Sequence, residues 1–89
     1  DLRMSRGLGD VYKRQAYREK CKILGNNIKY YRKKKRLTEM QLGKMIGKSR
    51  KFISRIEYRG YSMIIYISTL YDIAKALDIE TSWLLRGID

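Results

Sequence analysis

The chain has 89 residues, 21 Lys and Arg against 9 Asp and Glu (net charge +12), one cysteine, and neither histidine nor proline. That length allows one small domain, with a core too modest to enclose a catalytic cleft. With no histidine and one cysteine there is no zinc site of the usual ligands and no His-activated nucleophile, and no glycine-rich phosphate loop or paired carboxylate is evident, so the expectation is a non-enzyme without metal, cofactor or small-molecule site.

Residues 1–15, DLRMSRGLGDVYKRQ, have two glycines, three charge reversals and no helical or strand periodicity, and are expected to be disordered. The string from Ser5 to Gln15 is similar to translated sequencing-adapter sequence at the ends of metagenomic reading frames. On that reading the segment is not native and the domain spans 16–89. The alternative is a disordered basic arm that touches the backbone of a nucleic acid.

From Ala16 the pattern becomes helical. Tyr17, Cys21, Leu24, Ile28 and Tyr31 recur at alternating four- and three-residue spacings, which predicts a first helix reaching about Lys35, softly broken near Gly25. The cations Arg32 to Arg36 suit a helix C-terminus. Lys33, Lys34, Lys35 and Arg36 read as a solvated face that adds long-range attraction. Thr38 is the expected N-cap of a second helix through Ile46, with Gln41 at the capping-box position. Gly47 supplies the positive φ of a turn, and Ser49 caps a third helix ending near Glu57 or Tyr58. Gly60 to Tyr66 reads as a connector. A fourth helix follows with Ile67, Leu70, Ile73, Ala74 and Leu77 on its inner face. A short fifth runs from Thr81 to Leu85 and is ended by Gly87. The expected fold is a compact all-α domain of five helices.

Within it, the stretch Leu37 to Gly60 (LTEMQLGKMIGKSRKFISRIEYRG) has the spacing of a helix-turn-helix, with its two helices at about 38–57. Small Gly43 beside Leu42 lets the third helix approach closely. Ile53 and Ile56 turn back towards Leu42 and Ile46, which leaves Arg50, Lys51, Ser54 and Arg55 off the packed face. A basic, hydrogen-bonding face on a compact two-helix unit is what entry into the DNA major groove requires. The charge follows the motif: 12 basic against 2 acidic residues lie in 24–60, but 2 against 4 in 61–89. Such asymmetry suits a polyanion. No long apolar span or lipidation motif points to a membrane instead. Lone Cys21 suits a reducing, cytoplasmic compartment.

Leu24 to Gly87 resembles the DNA-binding domain of the lambda-repressor-like, or Xre, family of phage and bacterial regulators. Besides the motif, the resemblance rests on Leu24-Gly25 and Arg32, on Ile73-Ala74-Lys75-Ala76-Leu77, and on Trp83-Leu84-Leu85-Arg86-Gly87. Two features depart from it. The connector from Tyr61 to Tyr66 is longer and more apolar than usual and lacks the common proline. Gly43 replaces a small alanine, at a cost of roughly 1 kcal/mol in helix propensity.

The resemblance implies a sequence-specific regulator of double-stranded DNA, expected to be a repressor that binds palindromic operators as a homodimer. It implies that Arg50 reads base edges, with Ser54 beside it and Lys51 and Arg55 either reading bases or neutralising phosphate. Thr38 and Ser49 are caps first, though their helix N-termini also face phosphates. Lys48 and Arg59 are placed for backbone contact. Phe52 faces the bases or packs against the connector. An ion pair between Arg32 and Glu57 is implied as a structural brace. The last helix, with Trp83, Leu84 and Leu85, is either part of a dimer interface or a cap on the monomer core. Two other readings stay open: an antitoxin that binds a toxin protein and represses its own operon, and an interaction module without operator recognition.

Overall fold

A computed structural model describes the backbone of residues 2–59 and 67–88 and the side chains of 16, 18–58 and 67–88. Its elements are α1 (Leu2–Lys34), α2 (Glu39–Ile46), α3 (Arg50–Ser54) with a continuing π-helical turn (Arg55–Arg59), α4 (Ile67–Ala76) and α5 (Thr81–Leu84). The all-α, five-helix expectation holds. The connector 60–66, with its apolar run, lies outside the described residues.

Helix α1 differs from the sequence reading at two places. Its backbone is helical from Leu2, where disorder was expected through residue 15. Without proline nothing forbids propagation from the packed part of the helix, since each added residue gains one hydrogen bond and each glycine costs only about 1 kcal/mol. Nor is there a break at Gly25, which lies buried inside a continuous helix. A Cβ there would collide with the carbonyl oxygen of Ile56 and lie 3.1 Å from that of Glu57. Gly25 is therefore the point at which α1 touches the backbone of the π turn.

The core is built from every helix. Ile28, Leu42, Ile53, Ile73, Leu77 and Leu84 are fully buried, and Leu24, Ile56 and Ala74 complete the cluster. Leu70 and Ile46 pack against it in part. Ile67 was expected on the inner face of α4 but is 82% exposed. It shares a helix face with Leu70 and Ala74, yet it is the first residue of α4, and periodicity does not tell how far along the axis a core extends.

Three helices end in the same device, a residue in the left-handed region followed by a backbone bond that closes six residues. Leu37 N–H donates to Arg32 O at 3.1 Å, Lys48 N–H to Gly43 O at 2.8 Å, and Ile79 N–H to Ala74 O at 3.0 Å. The pivot residues are Arg36 (φ 58°), Gly47 (φ 71°) and Asp78 (φ 56°). Only the middle one is the glycine this conformation favours. At the other two, the following residues, Leu37 and Ile79, pack against the core and hold the turn in place.

Two substitutions test these contacts. Gly25→Ala gains helix propensity but presses a methyl group into backbone that cannot rotate away, and should destabilise the domain by about 1–3 kcal/mol. Arg36→Gly relieves the left-handed strain and should stabilise it by up to about 1 kcal/mol. Urea midpoints moving in opposite directions for the two variants check both.

Candidate nucleic-acid interface

The approach of α2 to α3 begins with two caps. Thr38 Oγ1 accepts from Gln41 N–H at 3.1 Å while Gln41 Oε1 accepts from Thr38 N–H at 2.8 Å, a complete capping box. Ser49 Oγ accepts from Phe52 N–H at 3.1 Å. Between the caps, Gly43 does more than tolerate a close approach. A Cβ at that position would lie 2.7 Å from Lys48 O and 3.1 Å from Ser49 O. The turn is seated on the bare backbone of α2, and this sets where α3 starts.

From that start, side chains sort by helix face. Ile53, Ile56 and Glu57 are buried, whereas Lys48, Arg50, Lys51 and Arg55 are exposed and Ser54 is half-buried. None of these four cations is paired with a carboxylate among the described residues, whose ion pairs are Arg32–Glu57 and Lys35–Asp78. Lys48 Nζ lies 5.3 Å from the ring centroid of Phe52, a loose cation–π contact. Phe52 is half-buried and packs against the core. Packing of Phe52 on the connector, and the side chain of Arg59, lie outside the described residues.

The buried side of this helix is held from behind. Arg32 Nε donates to Glu57 Oε2 at 2.7 Å and Arg32 Nη2 to Glu57 Oε1 at 2.9 Å, a two-pronged pair in which the side chains are 8% and 0% exposed. Arg32 Nη1 also donates to Leu37 O at 2.7 Å, within the turn into α2. One guanidinium thus joins α1, the turn into α2 and the π turn that follows α3. The hydrogen bond to Glu57 raises the Arg32 pKa above its ordinary value against the opposing effect of burial, with Glu57 and Glu39 adding electrostatic support. A cation whose pKa is raised on folding contributes stability that is complete below its unfolded value, so Arg32 loses nothing across the physiological pH range. The helix ends in its π turn where Ile56 and Glu57 are caught between Gly25 and Arg32.

Against α1, beside Asn27 and Tyr31, the three residues of the last helix part company. Leu84 is fully buried in the monomer core, Trp83 is half-buried, and Leu85 is 44% exposed. The Trp83 ring sits 6.0 Å from that of Tyr31, with the Arg86 guanidinium 4.9 Å from its centroid. Asn27 Nδ2 donates to the carbonyls of Leu84 (2.8 Å) and Arg86 (2.9 Å), closing the open C-terminal end of α5. Sequence reasoning passed over Asn27 and over the close-approach role of Gly25. A polar residue on the flank of the α1 stripe and a glycine between core positions were the available signals.

Removing one member of the buried pair should be severe. Arg32→Ala leaves the Glu57 carboxylate buried and unpaired and should cost about 3–5 kcal/mol, while the apolar double variant Arg32→Met/Glu57→Leu should recover most of that loss. Urea unfolding of the single and double variants decides the point.

Among the described residues no three His, Cys, Asp or Glu side chains converge on a metal position, and no helix is long and apolar enough to cross a membrane. Comparison with curated proteins finds no match. A family model described as a helix-turn-helix domain matches residues 25–89, starting where Gly25 of α1 meets the π turn and taking in both capped helices, α2 and α3. This is consistent with the lambda-repressor-like form of the motif. The chain belongs to the helix-turn-helix domain family.

Proposed function

We propose that the protein is a sequence-specific regulator of transcription, of bacterial or phage type, that places α3 in the major groove of an operator and represses from the cytoplasm. The observation that carries this reading is the contrast between two sets of cations. Arg32, behind the recognition helix, is bound to Glu57, whereas Lys48, Arg50, Lys51 and Arg55 stand exposed without a carboxylate among the described residues. Four uncompensated charges on one short segment repel each other, and a line of phosphates relieves that repulsion.

Roles follow from position. Arg50 is the first residue of α3, and the N-terminal residues of a recognition helix are those that reach base edges. Its planar fork matches guanine O6 and N7. Ser54 lies one turn further along the same helix, within reach of an adjoining base. Lys51 and Arg55 flank them. The hydroxyls of Thr38 and Ser49 accept from backbone in their caps and keep their own hydrogens free to donate to a phosphate. Lys48 and Arg59, before and after the helix, are placed for contact with the phosphate backbone. For a second copy of the chain, exposed Leu85 and the outer edge of Trp83 are the parts of the last helix that remain accessible, since Leu84 is withdrawn into the core.

Selection of the protein against random duplex DNA, with the enriched site titrated by anisotropy over a salt series, tests the reading. The expected result is a palindrome with half-sites about one helical turn apart, bound with an affinity that falls steeply with salt. Arg50→Ala should relax preference at one position of each half-site by about 1–3 kcal/mol and leave the others intact. An unchanged preference in that variant removes Arg50 from base reading.

A further inference from the structure

The positive charge on α1 is not one patch. Gly25, against the backbone of Ile56 and Glu57, and Arg32, bonded to Glu57, mark a seam along which α1 lies on the end of the recognition helix. The next positions around the helix are Lys22, Asn26, Lys29 and Lys33, spaced by four, three and four residues, and so share one face at the outer edge of that seam. Lys29 ties this face to the recognition helix directly, with Nζ 4.4 Å from the ring centroid of Tyr58, which is 57% exposed at the end of that helix. Lys22 and Lys33 are exposed, and none of the three lysines is paired with a carboxylate among the described residues.

The other flank of α1 is differently occupied. Lys35 Nζ lies 3.7 Å from Asp78 Oδ2, and Lys34 Nζ lies 5.4 Å from the Tyr30 ring centroid. There the cations adjoin the more acidic α4–α5 side of the domain.

We infer that Lys22, Lys29 and Lys33 form a second phosphate-binding ridge on α1, which follows the DNA strand bordering the groove that the recognition helix enters. The inference rests on the regulator reading above. Lys22 to Lys33 covers roughly 16 Å of helix axis, at 1.5 Å per residue. Each DNA strand carries a phosphate about every 3.4 Å along the duplex axis, so the ridge is long enough for each ammonium to meet a different phosphate. Tyr58 holds the Lys29 ammonium by its π face, which leaves the N–H groups free to donate outwards and keeps that cation at the mouth of the groove. The contribution is to affinity and orientation on the duplex, and carries no base preference.

The test compares two triple variants with the same loss of charge, in the full chain, on the selected duplex and on a scrambled one. Lys22→Gln/Lys29→Gln/Lys33→Gln should lower the slope of log affinity against log salt by about 2–3, at about 0.9 per phosphate, and weaken both duplexes alike. Lys20→Gln/Lys34→Gln/Lys35→Gln, on the other flank, should leave the slope close to that of the parent. Lys29→Arg should also keep it, since an arginine stacks on Tyr58 and binds phosphate. Equal effects of the two triples mean attraction at a distance and overturn the ridge while the regulator reading stands. An unchanged slope in the first triple overturns it as well. If the parent protein binds no duplex at low salt, the regulator reading fails and the ridge fails with it.

Discussion

The guanidinium of Arg32 meets both carboxylate oxygens of Glu57 and the carbonyl of Leu37, and it does so inside the protein. A buried ion pair adds little net stability over an apolar pair of the same volume, because both charges must leave water. What it contributes here is geometry. A planar fork on two oxygens permits one relative rotation of α1 and the π turn that ends α3, and the third bond ties the turn into α2 to the same group. Gly25 acts a short way along the same seam by sterics, since its missing side chain sets how closely the backbones approach. The two constraints together orient the helix about its axis, and so determine which of its side chains face outwards.

That orientation separates cations that the sequence lists side by side. Within the run Arg32 to Arg36, Arg32 turns inward to Glu57, Lys35 reaches Asp78, Lys34 lies by Tyr30, and Lys33 remains exposed. The described positive surface is therefore assembled from separate elements. The same geometry divides the last helix, where Leu84 fills the core and Asn27 closes the exposed carbonyls, leaving Leu85 to solvent.

Much of the local structure was legible residue by residue. The Thr38–Gln41 capping box, the Ser49 cap and the positive φ of Gly47 involve groups within a few residues of each other, and local chemistry decides them. The core positions of α1, α2 and α3 were legible from periodicity. The long-range features were not. Gly25 read as a weak point in a helix, because its partner lies about thirty residues away in the π turn. Ile67 read as core, because periodicity gives a direction around a helix and no limit along it. Arg36 and Asp78 take left-handed turns without glycine because the residues that follow them are anchored in the core.

By itself, the sequence determined the all-α class, the two caps, the turn between them and the excess of cations around α3, since each depends on short spacing and residue type. Tertiary structure decided that α1 runs unbroken past Gly25, which of the described cations are bound within the fold, and how α3 is turned. Those outcomes depend on contacts between helices distant in the chain. Arg32 and Glu57 illustrate the division: the resemblance to a known family suggested the pair, but their burial and two-pronged geometry arise only when α1 packs across the π turn that follows α3.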